Sequence, residues 1–305
     1  MGLQLIPAET SFSFVRVHKL AFVITVLAMV ASVVSLYTQG LNFGIDFKGG
    51  TVIEVHTEGP ADLGKIRDVV GQLDLGETQV QEFGAPDQVM VRVQATKGSE
   101  AAEIVKDALR QNYGPDISFQ RVEVVGPKVS DELIKGGLVA VGLSLVFMAA
   151  YIGFRFEWQF AIGATLALLH DVILTLGMFS LLQLEFNLAV VAALLTIVGY
   201  SMNDTVVVFD RVRETMKRYR KRPMDEIIDR SINDTLSRTV MVSVTTLLAI
   251  FAFYFLGGEV LRGFSFALIF GVIVGTYSSI FVASPVLLYT NAGANRTLED
   301  APTTP

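Results

Sequence analysis

Apolar residues along this chain gather into six long runs, and the stretch between the first two alternates in the manner of a small soluble domain. The runs cover residues 20–37, 133–154, 160–182, 188–209, 240–255 and 264–288. A helix needs about 20 predominantly apolar residues to cross the hydrocarbon core of a bilayer, so each run predicts a membrane span. Arg16, His18 and Lys19 ahead of the first run give it the look of a signal peptide. The run is too long for the apolar segment of one, and no small-residue cleavage site follows it closely, so it is expected to stay as the first span.

Residues 40–131 change period. The spacing predicts strands over 51–57, 79–83, 88–94 and 117–125 and helices over 61–73 and 99–113. That β-α-β-β-α-β order is the ferredoxin-like arrangement. Gly59-Pro60 and Gly114-Pro115 punctuate it where turns are needed. Gln88 and Arg92 are expected on its outer surface. Just ahead of it, FGIDFKGGT (43–51) reads on spacing alone as a tight turn feeding a strand, with Gly49 and Gly50 supplying positive φ.

The fold expected is therefore an α-helical polytopic membrane protein of six spans, with a small α/β ferredoxin-like domain between the first and second. Its parts are an N-terminal tail and first span (1–39), the domain (40–132), a five-helix bundle (133–290) with a basic loop at 211–235, and a polar tail (291–305) expected to be disordered. Lys and Arg before the first span put the N-terminus in the cytoplasm. The dense basic cluster at 211–222 falls on the same side, whereas the link 183–187 lacks Lys and Arg. Both termini are then cytoplasmic and the domain periplasmic. Pro223 followed by Asp225 and Glu226 predicts a helix start, with Met224, Ile228, Ile232 and Leu236 on one face of a surface helix leading into the fifth span.

Composition removes several function classes. With 51% hydrophobic and 18% charged residues and a mean hydropathy of +0.51, the chain is too apolar for a soluble protein. It has no cysteine, hence no disulfide or thiolate site, and its three histidines (His18, His56, His170) make no metal-ligand spacing. The net charge of -6, with basic residues gathered in one loop, gives no sign of a nucleic-acid partner. No nucleophile-and-base set or phosphate loop is visible, so neither an enzyme nor a cofactor is expected.

Candidate chemistry lies where polar residues interrupt the spans. Gly199-Tyr200-Ser201-Met202-Asn203-Asp204-Thr205 puts a carboxylate in the fourth span, where an Asp costs about 2.5–3.5 kcal/mol and is a functional hypothesis by default. Arg238 enters the fifth span close to Thr239, Ser243 and Thr246, and a cation there has equal need of a partner. At helical spacing Ser201, Asp204 and Val208 share a face with Tyr200, while Asn203 stacks on Gly199. A lone Asn or Ser can equally be an interhelical hydrogen bond that only holds helices together. His170-Asp171 in the third span is a second ionisable pair, open between a buried polar contact and a proton relay. Gly263, Ala267, Gly271, Gly275 and Ser279, four apart in the sixth span, form a small-residue ladder for close packing.

Several stretches together resemble the SecF family, membrane subunits of bacterial protein translocation within the RND superfamily. They are FGIDFKGGT (43–51), VEVVGPKV (122–129), GFRFEW (153–158), His170-Asp171, GYSMNDTVVVFDRVR (199–213), TLSRT (235–239), Gly257-Gly258-Glu259 and GTYSSIFVASP (275–285). The resemblance covers about 12–290 and implies an RND-type half in the bacterial inner membrane. It implies a partner, SecD, with six further spans, and assistance to the SecYEG channel, in which the proton-motive force drives preprotein movement. A YidC-type insertase, the preprotein and membrane lipids are the other partners implied. Asp204 and Arg238 are implied in proton passage, with Tyr200, Ser201, Asn203 and Thr239 in the same motifs. Asp204 would be ionised and paired with Arg238 in one state and protonated in another. Asp46, Gly49, Gly50, Gly271 and Gly275 are structural positions of these motifs. The alternatives are half of an RND-type small-molecule or lipid exporter, against which stands the lack of large porter domains, and a passive scaffold for translocon assembly.

Overall fold

The computed structural model describes Pro7, residues 10–94, 99–114 and 117–290, and Ala292. The proposed tail at 291–305 lies, apart from Ala292, outside the described residues. The first span is α1 (Phe14–Thr38). After it come β1 (Asn42–Phe43), the single helical turn α2 (Ile45–Lys48), β2 (Gly50–His56), α3 (Leu63–Gly71), β3 (Thr78–Phe83), β4 (Ala85–Val93), α4 (Ser99–Tyr113) and β5 (Ser118–Val125). The bundle follows as α5 (Pro127–Arg155), α6 (Trp158–Leu181), β6 (Glu185–Phe186), α7 (Leu188–Arg218), α8 (Met224–Leu256), α9 (Gly258–Ser278), a π-helical turn (Ser279–Ala283) and α10 (Ser284–Tyr289). Six helices are long and apolar enough to cross a membrane: α1, α5, α6, α7, α8 and the stretch Val260–Tyr289.

Strands β2 to β5 form one antiparallel sheet in the order β3-β4-β2-β5, the ferredoxin-like order. Alternation along the strands divides its faces. Ile53, Val55, Val89, Val91 and Val93 pack under α3 and α4 with Ile66, Val70, Val105 and Leu109, a core separate from those of the bundle. The opposite face overlies the bundle, and between them lies a cleft of about 670 Å³ lined by Glu54, Met90 and Arg121 from the sheet and Tyr254, Arg262 and Phe266 from the helices.

Several boundaries differ from the sequence expectation. The first span starts at Phe14, and the fourth runs on to Arg218, so the expected basic loop at 211–235 shrinks to 219–223 between two helices. The second span starts at Pro127, six residues early, because nothing between Pro127 and Leu133 breaks a helix and Pro suits its first position. The surface helix and the fifth span are one helix, α8, since 224–256 contains no Gly or Pro. FGIDFKGGT is more than a turn: it makes β1, which pairs in parallel with β6, and the helical turn α2, closed by Gly49 at φ +71. Gly50 at φ +117 then enters β2 with its α-carbon so close to Val93 that a Cβ would lie 2.6 Å from the Val93 carbonyl oxygen.

In the bundle α6, α7 and the last span are the buried helices, and α1, α5 and α8 stand outside with few buried residues. The small-residue ladder serves the contact of α9 with α7. A Cβ at Gly271 would strike the Ile197 side chain, and one at Gly275 would lie 3.1 Å from Ser201 Cβ. Pro285 cannot donate to the preceding turn of the last span, which here widens to a π turn with the Ser284 hydroxyl donating back to the Ser279 carbonyl at 2.7 Å.

Candidate functional site

Two carboxylates lie inside the bundle, and consecutive serines of one turn serve them. Asp204 on α7 is 8% exposed. Its Oδ1 accepts from Thr239 Oγ1 of α8 at 2.6 Å, and its Oδ2 accepts from the Ser279 hydroxyl at the π turn. Asp171 on α6 is wholly buried. Its Oδ2 accepts from Ser201 Oγ of α7 at 2.5 Å and from Ser278 Oγ of α9 at 2.9 Å, and its Oδ1 lies 2.8 Å from His170 Nδ1. Ser201 and Asp204 share a face of α7 because they are three residues apart. The small Gly275 opposite them lets α9 come near enough for its hydroxyls to reach. Tyr200 donates from its hydroxyl to Ser243 Oγ at 3.0 Å, and Ser243 is 2.8 Å from Thr276 Oγ1, so α7, α8 and α9 meet in a second polar cluster alongside.

Arg238 does not sit where the sequence expectation put it. It is exposed and makes no ion pair among the described residues, although its charge is near enough to act on Asp204. The reason is helical phase: adjacent residues point about 100° apart, so turning Thr239 and Ser243 to the buried side leaves Arg238 facing outward. Asn203 is likewise exposed, with half-buried Gly199 a turn below it and exposed Thr196 close by. Of the predicted residues the structure brings together Asp204, Ser201, Thr239, His170 and Asp171 in one connected layer. It keeps Tyr200 beside them and sends Asn203 and Arg238 to the outer face. The sequence pattern does not single out Ser278 and Ser279 as hydroxyl donors; the signal available is their place in GTYSSIFVASP, where the four-residue spacing makes Ser279 a rung of the packing ladder.

A carboxylate buried without compensation is costly. Asp204 meets the requirement with neutral hydroxyls and Asp171 with hydroxyls and the His170 ring, so Asp204 could take up or lose a proton without a contacting ion pair having to break. Among the described residues no three of His, Cys, Asp and Glu come together as a metal site.

Asp46, Gly49 and Gly50 belong to a second place, the junction of domain and bundle. Asp46 Oδ2 accepts from the Leu188 backbone N–H at 2.8 Å, capping the first turn of α7 alongside Asn187, whose side chain accepts from Val190 N–H at 3.2 Å. Arg92 crosses from β4 to the same place. It is 8% exposed, with Nη2 2.9 Å from Glu185 Oε2 and Nη1 donating to the Phe43 carbonyl at 3.4 Å. Arg92 is therefore not the outer-surface position expected from strand alternation, because the sheet face it occupies is the one turned to the bundle.

The family described as "Protein export membrane protein SecD/SecF, C-terminal" matches residues 104–293, and the "SecD/SecF GG Motif" matches 34–61. The protein translocase subunit SecF of Magnetococcus marinus is 49% identical over 96% of both chains, and that of Vibrio alginolyticus 46% identical over 93% of this chain and 91% of the relative. The chain belongs to the SecF family of protein translocase subunits. As a SecF it takes part in protein transport by the Sec pathway, and with six spans it is a multi-pass inner-membrane protein. The crystal structure of SecDF from Thermus thermophilus superposes with a TM-score of 0.85 at 36% identity over 94% of this chain. SecDF in a super-membrane-facing form superposes with 0.71 over 98%. The SecF chain spans about 40% of the length of these SecDF chains.

Proposed function

We propose that this SecF works beside a SecD half and uses the proton-motive force to assist SecYEG in drawing preproteins across the membrane. The observation that carries the reading is the buried, hydroxyl-held Asp204 combined with an outward face that lipid cannot satisfy. Asn203 and Arg238 sit in or beside the spans, exposed and with no hydrogen bond or ion pair from their side chains among the described residues, and a charged or amide group there calls for another protein surface. The SecDF chains, of which this SecF covers about 40%, are long enough to contain such a half. Lys and Arg around the first span and at 211–222 favour both termini in the cytoplasm and the α/β domain on the periplasmic side, where it would meet emerging preprotein. A YidC-type insertase and anionic lipids are further partners of this arrangement.

One proton crossing 100 mV releases about 2.3 kcal/mol, enough to shift a two-state equilibrium by tens of fold. In this reading Asp204 is the group that takes the proton, and entry of Arg238 from the outer face when the partner half closes distinguishes the two states. Asp204→Asn keeps size, accepts one of the Thr239 and Ser279 hydroxyls at its oxygen and can donate from its NH2 to the other, so the complex should assemble and yet lose its response to an imposed proton gradient in a vesicle translocation assay. Arg238→Met should lose the same response while leaving the melting temperature of the isolated chain nearly unchanged, because Arg238 makes no ion pair among the described residues. An assembled Asp204→Asn complex that responds as the parent does would remove Asp204 from the proton path.

A further inference from the structure

The cluster around Asp171 is more elaborate than holding two helices together requires. One interhelical hydrogen bond would join α6 to α7, whereas Asp171 receives donors from three directions: Ser201 on α7, Ser278 on α9 and His170 on its own helix. In the tautomer that gives Asp171 its third donor, His170 carries its proton on Nδ1 and presents a bare lone pair at Nε2. That atom is buried and has no hydrogen-bond partner among the described residues, although a buried acceptor is ordinarily satisfied. Its ring is tilted against Tyr277, whose hydroxyl is already engaged with the Ala21 carbonyl and Thr25 of α1 at 3.1 and 3.0 Å.

The two acids are also mechanically joined. Ser278 ends α9 and donates to Asp171, and Ser279 opens the π turn and donates to Asp204. A π turn is a local irregularity frequently found at functional sites, and Ser278 and Ser279 are joined by one peptide bond at its edge, so a backbone rotation there carries to both serines. Each hydroxyl has a second acceptor within reach in the preceding turn, Ser278 at the Gly275 carbonyl (3.1 Å) and Ser279 at the Thr276 carbonyl (3.0 Å). A carboxylate protonated at one oxygen keeps only a neutral carbonyl acceptor at the other, so a serine donating there is held less tightly and has a second acceptor to turn to.

We propose that Asp171 is a second proton-carrying carboxylate of this chain, coupled to Asp204 through the Ser278–Ser279 turn and exchanging its proton through His170 Nε2. The proposal rests on the proton-driven reading of Asp204 for its purpose, but the titration of Asp171 itself does not. His170 gains a proton at Nε2 and passes the one at Nδ1 to Asp171 Oδ1, which leaves the imidazole neutral and the carboxyl protonated. The ionisable or charged groups on the elements packed against this layer are few. They are His170, Asp204, Tyr200 and Tyr277, with Arg238 on α8 turned outward and Arg16, His18 and Lys19 at the start of α1. The charged residues of α5 lie toward its two ends, and α10 contributes Tyr289, which bonds His18 Nε2.

The test uses this chain assembled with its SecD half in vesicles, with infrared difference spectra of the carboxyl C=O stretch across a pH series and gradient-driven translocation as a separate readout. Against the carboxyls common to all three proteins, two bands are expected in the parent that the variants lose singly, one absent from Asp171→Asn and a different one absent from Asp204→Asn. Ser278→Ala, which leaves both acids in place, should shift the frequency of the Asp171 band and also move the Asp204 midpoint. The gradient response of Asp171→Asn should fall about tenfold or more, as for a coupling free energy of ordinary size. An unchanged pair of bands in Asp171→Asn overturns the proposal, and so does a Ser278→Ala spectrum identical to the parent's, the arm that decides should Asp171→Asn fail to assemble. A parent that shows both bands but no gradient response would instead overturn the proton-driven reading and leave the titration of Asp171 standing.

Discussion

Gly271 marks the closest approach of α7 and α9, since any Cβ there meets three carbons of Ile197. Gly271→Ala should therefore cost about 1–3 kcal/mol through overpacking, measured as a lower melting temperature in detergent. The same change combined with Ile197→Ala should cost less than the sum of the two singles, because the larger side chain that clashes is then gone. Strict additivity would show that the two helices are not in contact there. Single residues were legible in the sequence in proportion to how expensive they are in a membrane. Asp204, Asp171 and the ladder glycines could be found because nothing else explains them in apolar runs. Arg238 was found as well, but its direction was not, since a shift of one residue in helical phase moves a side chain from the core to the outer face. Ser278 and Ser279 were hidden because hydroxyls are cheap in a span and many of them, such as Thr245 and Thr196, only bond the carbonyl one turn back.

At the scale of elements, the helix that holds Asp204 is tied at its N-terminal end to the domain by Asp46 and Arg92. Asp46→Ala removes a cap of the kind worth about 1 kcal/mol, and Arg92→Ala leaves Glu185 without its cation. Amide hydrogen exchange on the full chain should rise at Leu188 and Val190 in Asp46→Ala, and across β1 and β6 in Arg92→Ala, with the core strand β2 unaffected. Exchange unchanged in both variants would mean that the junction is held by the stacked Phe47 and Phe186 rings and not by its polar contacts. The ferredoxin-like elements were legible to within a few residues because alternation and helical periodicity are strong there. The pairing of β1 with β6 was not, because a two-residue strand leaves no period to read. Its only trace was FGIDFKGGT itself, whose glycines marked a special backbone without saying what it meets. The continuity of α8 was lost for a different reason: its polarity changes near Val240 while its helical propensity does not.

For the whole molecule, the separation of cores decides which parts can stand alone. The bundle's buried clusters run through α6, α7 and the last span, and the junction residues Phe47 and Phe186 belong to one of them. The domain's core of fourteen residues, from Ile53 to Ile117, contains none of these. A fragment beginning at Gly40 would carry Ile45 and Phe47, buried in the full chain, into water with nothing to cover them. A fragment of residues 50–126 omits them and keeps the complete sheet with both its helices. It should melt cooperatively with dispersed amide resonances, while the fragment 40–126 should associate or precipitate at equal concentration. So small a unit buries a limited core and will have only a few kcal/mol in hand, so Ile53→Ala, which deletes a fully buried side chain at the centre of the sheet, should unfold it at room temperature. If 50–126 shows no cooperative transition, the domain depends on the bundle for its fold, and its position over the membrane would then be part of its stability and not only of its function.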